Sequence, residues 1–189
     1  MASQPSSERL RTAFRYFNRF MLVLWRLGLG SWVNFWPAVA GRIMVLVQVG
    51  RRTGVERRTP LNYAISEGDV YCIAAFGRIS DWHKNIRANP EVEVWLPDGR
   101  WSGVATDVSD SESRLRLLRE VLIASGFASY AAGIRPKSIS DAELERITVD
   151  YRVLRIERTH ACTGAGGPGD LAWVWPIVTL VLLLALLLR

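Results

Sequence analysis

The sequence predicts an α+β fold: a small sheet or partly closed barrel of about six mainly antiparallel strands with flanking helices, plus a C-terminal transmembrane helix. Three observations carry that expectation. Six short runs rich in β-branched and aromatic residues follow one another from Arg42 onward. Turn-forming residues such as "SEGD" and "LPDGR" join several of them closely, which favours sequential antiparallel pairing over a βαβ array. The run from Leu171 to Leu188 carries no charge, and at about 1.5 Å per residue it is just long enough to cross a hydrocarbon core.

Residues 1–30 read as a basic amphipathic helix. Ser7 is a cap candidate, and Arg9, Arg11, Arg15, Arg19 and Arg26 alternate with Leu10, Phe14, Phe17, Met21, Leu24 and Trp25. Two placements fit this pattern: packed on the domain with its arginines in water, or resting on anionic lipid.

Residues 31–158 hold the folded domain. Its strand-like runs are "RIMVLVQV", "TPLNYAI", "DVYCIAAF", "EVEVWL", "RWSGVATDV" and "DYRVLRIER". Helical patterns interrupt them at "SDWHKNIRANP", at 110–125 and at "SISDAELERI", with Ser80 and Ser140 as caps.

Residues 159–170, "THACTGAGGPGD", lack hydrophobic periodicity and read as a flexible linker. Residues 171–189 complete the tail. Trp173 and Trp175 stand where indoles favour the headgroup level, and Pro176 falls in a first helical turn. The arginine excess of the domain over the lone Arg189 predicts that the domain faces the cytoplasm.

Composition narrows the chemistry. With 24 Lys and Arg against 18 Asp and Glu the formal charge is +6, which favours an anionic partner. Nucleic acid is a poor fit, because the arginines divide between one helix and one turn without aromatic platforms beside them. Two histidines and two distant cysteines give no metal-ligand spacing and no disulfide framework, so neither a metal nor an oxidising compartment is expected. No Gly-x-Ser-x-Gly elbow and no supported carboxylate pair is present, which removes the common hydrolase routes.

The most informative stretch is "VGRRTGVERRTP", residues 49–60, lying between the first two strands. Gly50 and Gly54 allow tight geometry, and Arg51, Arg52, Arg57 and Arg58 supply forked donors suited to phosphate or carboxylate. Taken alone it is either a solvated hairpin tip or an anion clamp. In "SDWHKNIRANP", Trp82 and Ile86 recur at helical spacing and read as core. His83 and Asp81 stand two apart, so they do not face each other as an acid–base pair; His83 reads as surface or packing.

"GRRTGVERRTPLNYAISEGDVYCIAAFG" followed by "DWHKNIRANPEVEVW" resembles the deazaflavin (F420)-dependent nitroreductase family of split β-barrel reductases, with the motifs in order from about Leu27 to Glu157. The resemblance implies a split barrel and coenzyme F420 as cofactor. Arg51, Arg52, Thr53, Gly54, Arg57 and Arg58 become candidates for its phosphate and acidic tail. Pro60, Leu61, Phe76, Gly77, Trp82 and Asn85 become ring-side or supporting candidates. The loop from Gly77 to Asp81 is shorter than in familiar members, and only Phe127 and Tyr130 stand for their aromatic C-terminal stretch. Tyr130 is the one candidate for proton donation or substrate contact; a packing role fits it equally.

The function implied is a membrane-tethered oxidoreductase passing hydride from the reduced deazaflavin to a lipophilic acceptor such as a quinone or nitro compound. The alternatives are an FMN-dependent split-barrel reductase and a noncatalytic cofactor-binding membrane protein.

Overall fold

A computed structural model describes residues 5–37 and 41–188. Among these the elements run α1 (Pro5–Arg26), α2 (Gly30–Val33), β1 (Ile43–Val49), β2 (Glu56–Ser66), β3 (Asp69–Ala74), a 3₁₀ turn at Gly77–Ile79, α3 (Asp81–Ala88), β4 (Glu91–Leu96), β5 (Gly99–Asp107), α4 (Arg114–Ala124), α5 (Phe127–Ala131), α6 (Asp141–Ile147), β6 (Arg152–Ala161) and α7 (Val174–Leu187).

The six strands close into one antiparallel barrel in the order β1-β2-β3-β6-β5-β4, with β4 returning to pair with β1. Purely sequential pairing is therefore broken at one place. After β3 the chain crosses an end of the barrel through α3, and β4 joins the open edge of β1, pairing Val45 with Trp95 and Leu46 with Val94. The β2–β3 hairpin shows how local chemistry fixes register. Ser66 pairs with Asp69 across a two-residue turn, and Glu67 and Gly68 both take positive φ, 53° and 91°, as a turn matched to strand twist requires.

Strand alternation sorts the core into an inside and two outsides. Met44, Leu46, Val94, Leu154 and Ile156 fill the barrel, and α3 caps it by adding Ile86 to that cluster. The outer face of β2, β3 and β6 is covered by α4 and α6 through Leu118, Val121, Leu122 and Leu144. On the other side Trp25 of α1 packs with Val45, Val47 and Trp95. This double coverage explains why β1 reads as an unbroken apolar run: six of its seven residues are buried.

At the N-terminal end one of the two placements read from the sequence is observed, and at the C-terminal end two expectations change. Helix α1 packs on the barrel through Met21 and Trp25, while Tyr16, Phe17, Phe20 and Val23 on its outward side are exposed. The side chains of residues 5–15, including Ser7, Arg9, Arg11, Phe14 and Arg15, lie outside the described residues, as does Arg189.

The expected flexible linker is instead largely tied down. β6 continues to Ala161, taking in Thr159 and His160, which moves the end of the folded domain past Arg158. Beyond it Cys162 N donates to Arg100 O at 2.8 Å, Gly169 N to Trp25 O at 2.9 Å and Leu171 N to Arg26 O at 2.8 Å. Arg26 also grips Asp170 with three contacts of 2.9–3.1 Å.

These bonds hold Leu171, Ala172 and Trp173 in turns, so α7 starts only at Val174 and contains 14 residues, about 21 Å against the roughly 30 Å of a hydrocarbon core. The expected transmembrane helix is accordingly corrected: among the described residues no helix is long and apolar enough to cross a membrane.

Candidate functional site

The site is built where the β1–β2 hairpin meets α3. Gly50 N donates to Val55 O at 2.9 Å, and Gly54 N donates back to Gly50 O at 2.8 Å, closing a tip that contains Arg51, Arg52 and Thr53. Gly54 sits at φ 65°, which favours glycine. Gly50 is needed for space, since a Cβ there would lie 2.9 Å from Thr53 Oγ1 and 3.1 Å from Val55 O.

Arg51 anchors this tip to α3. Its backbone N–H and its Nη1 both donate to Asn85 Oδ1, at 3.2 and 2.9 Å, and its Nη2 meets Asp81 Oδ1 at 3.0 Å. Asn85 is buried, so it serves as the fixed end of the clamp. The Arg51 guanidinium holds the Asp81 carboxyl below the usual carboxylate range.

Register decides what the other arginines do. Arg57 pairs with Gln48 and Thr59 with Leu46, so both share the face that points into the barrel mouth. Arg58 pairs with Val47 and turns the other way. Its guanidinium lies 5.2 Å from the Trp95 ring centroid, contacts Glu56 at 2.7 Å and donates to Gly166 O at 3.3 Å. Neither Arg52 nor Arg57 has a carboxylate partner among the described residues.

Between hairpin and helix lies an open cleft of about 540 Å³ lined by Gln48, Gly50, Arg51, Arg52, Thr53, Arg57, Arg58, Thr59, Asp81, Trp82 and Asn85. Gln48 is a buried polar plug at its floor. Its amide meets the Thr59 hydroxyl at 3.0 Å and, with its oxygen toward that hydroxyl, donates to the carbonyls of Arg57 and Leu46, each at 3.0 Å. Trp82 adds a half-buried indole that packs against the barrel interior.

The cleft thus gathers Arg51, Arg52, Thr53, Arg57, Arg58, Trp82 and Asn85 from the sequence-based candidates, and adds Gln48, Gly50, Thr59 and Asp81. Gln48 and Thr59 were hidden because their polar groups sit inside strand patterns that read only as barrel wall. Gly54 shapes the tip without lining the cleft. Pro60 shares a pair with buried Val45, and Leu61 packs against the barrel core. Phe76 is exposed beside Gly77, whose φ of 55° and approach to Asp150 O leave no room for a Cβ. Tyr130 is exposed on α5, whose preceding Gly126 packs against Gly41, at the end of β1 remote from Gly50.

His83 is buried, not on the surface. Its Nε2 lies 3.4 Å from Asp107 Oδ2, and Nδ1 has no partner among the described residues. Burial pushes its imidazole below the ordinary histidine range despite the opposing pull of Asp107. Ser109 completes the group, donating to Asp107 Oδ1 through its hydroxyl at 2.5 Å and its N–H at 3.0 Å. These bonds outweigh desolvation and leave the Asp107 carboxyl below its usual range. No cluster of three or more His, Cys, Asp or Glu that could hold a metal ion occurs among the described residues.

The donor set suits an organic anion. Four guanidiniums face or border the cleft against one carboxylate, two of them without an ion-pair partner among the described residues, and Thr53 adds a hydroxyl. A ligand carrying phosphate and carboxylates, with a flat ring to lie near Trp82, fits that chemistry.

The family match points the same way. Residues 27–139 match the family described as F420H(2)-dependent quinone reductase. Among solved structures, an F420-H2 dependent reductase (FDR-A) is 22% identical, with 61% of this chain and 93% of that chain covered and a TM-score of 0.46. A conserved hypothetical protein from Mycobacterium tuberculosis is 19% identical, with 74% of this chain and 90% of that chain covered and a TM-score of 0.49.

Proposed function

We propose a reductase of lipophilic acceptors working at a membrane surface, from the premise that this chain belongs to the F420H(2)-dependent quinone reductase family and is an F420-dependent oxidoreductase. The acceptor is a quinone or nitro compound. The C-terminal apolar helix anchors the enzyme, with the barrel on the cytoplasmic side.

One observation carries the reading of the site: Arg52 and Arg57 flank a cleft beside Trp82 without carboxylate partners among the described residues. Bound there, reduced F420 supplies the hydride, and no side-chain nucleophile is needed. The chain's own residues bind and orient. Arg52 and Arg57, with the hydroxyl of Thr53, hold phosphate and carboxylate groups. Arg51 and Asn85 keep the tip at a fixed distance from α3. Trp82 and the barrel wall shield the flat end from water. Arg58 positions β2 from behind, through Trp95 and Gly166.

Attachment to a membrane raises the local concentration of an acceptor dissolved in it, which gives the apolar helix a functional reason. Steady-state reduction of a short-tailed and a long-tailed naphthoquinone, with F420H(2), FMNH2 or NADH as donor, tests the proposal. Turnover with F420H(2) alone is expected, and the long-tailed quinone should gain from added vesicles. Turnover supported only by FMNH2 would overturn it.

A further inference from the structure

Four of the chain's eight tryptophans, Trp32, Trp36, Trp173 and Trp175, are between 42% and 75% exposed; Trp32 and Trp36 lie within ten residues after α1 and Trp173 and Trp175 at the start of α7, on the two chain segments that lead away from one junction. There the end of α1 meets the start of α7. Arg26 pairs with Asp170 at 2.9 Å, and Trp175 Nε1 donates to Leu27 O at 2.9 Å. Two apolar surfaces run outward from this clasp. Along α1, Tyr16, Phe20 and Val23 stand at i, i+4 and i+7 on the side away from Met21 and Trp25. Along α7, the consecutive residues Leu180, Val181, Leu182, Leu183 and Leu184 are all exposed.

Successive helical residues are turned by about 100°, so five in a row point in every direction around the axis. A second protein surface covers one side of such a helix; a hydrocarbon medium covers all of it. Indoles concentrated at its base match the headgroup level, where an amphipathic ring is favoured. The net charge of +6, with exposed Arg19 within the α1 stripe, complements anionic lipid.

We propose that the outward stripe of α1, the Trp32–Trp36 stretch and the base of α7 form one composite lipid-facing collar, with α1 lying in the headgroup plane of an anionic bilayer. Helix α1 then uses two opposite faces, one on the barrel through Trp25 and one on lipid through Phe20. The collar rests on the membrane attachment proposed above and adds to it a specific surface outside α7.

The test is sedimentation of the full chain with vesicles of phosphatidylcholine, with and without phosphatidylglycerol. The variants are Phe20→Ser/Val23→Ser and, separately, Trp32→Ala/Trp36→Ala. All four side chains are exposed, so melting temperature and F420H(2)-dependent reduction of a soluble naphthoquinone should stay at wild-type values. Each pair should weaken partitioning into the anionic vesicles by about tenfold or more, from the lost burial of two large side chains. Partitioning undiminished in both pairs overturns the collar while leaving attachment through α7 intact. A wild-type chain that does not sediment with either vesicle overturns the attachment and the collar together. A solution dimer dissolved by the same variants, without vesicle binding, assigns the face to a second copy and also overturns the collar.

Discussion

Four arginines within eight residues look equivalent in the sequence and are not equivalent in the fold. Arg51 is committed to Asp81 and Asn85, and Arg58 to Glu56, Trp95 and Gly166, which leaves Arg52 and Arg57 for a ligand. Residue types at the site were legible from the sequence, but these partners were not, because Asn85 lies 34 positions from Arg51 and Gly166 lies 108 from Arg58. Asn85→Ala strands the Arg51 backbone N–H and removes the acceptor for its Nη1. A loss of about 1–3 kcal/mol is expected, readable by denaturant unfolding, together with weaker cofactor binding. His83 makes a pH prediction. Its folded-state pKa is depressed by burial, so the unfolded chain protonates first as pH falls. Stability is full above the ordinary histidine value of about 6.5 and declines as pH drops through it toward the folded value. Melting temperatures at about pH 7.5 and 5.5 should fall further for wild type than for His83→Gln; Asp107, also depressed, loses its contribution only near and below the carboxylate range.

Among the elements, all six strands were legible, since alternating or continuous apolar runs bounded by turn residues specify strands locally. "EVEVWL" became β4 with the same ends, Glu91 and Leu96. Neighbour order was less legible. Periodicity says which side chains share a face but not which edge a strand joins, and it gave no sign that α3 would send β4 to β1 instead of β3. That crossing also makes the site, because α3 brings Trp82 and Asn85 to the arginine hairpin. The turn feeding α3 depends on Gly77, at φ 55° with its backbone packed against Asp150 O. Gly77→Ala should cost about 1–3 kcal/mol from the unfavourable φ and the clash. It should raise amide exchange in α3 before other elements, as hydrogen-exchange mass spectrometry would show.

For the whole molecule, the barrel and its cofactor family were legible because the motifs recur in order along a continuous stretch. The C-terminal end was misread, since a composition of small residues does not reveal hydrogen bonds to a helix 144 positions away. Residues 159–170 are largely bound to β5 and α1, and the helix that follows is shortened by that binding. The central claim is that the hairpin–α3 cleft holds F420 through Arg52 and Arg57. Calorimetric titration of the full chain with F420, in parallel with Arg52→Ala/Arg57→Ala, tests it most directly. The account predicts saturable binding by the wild type. It predicts affinity weaker by about tenfold or more in the double variant, from the loss of two charge-assisted contacts, at an unchanged melting temperature. Equal affinity in both proteins would contradict it.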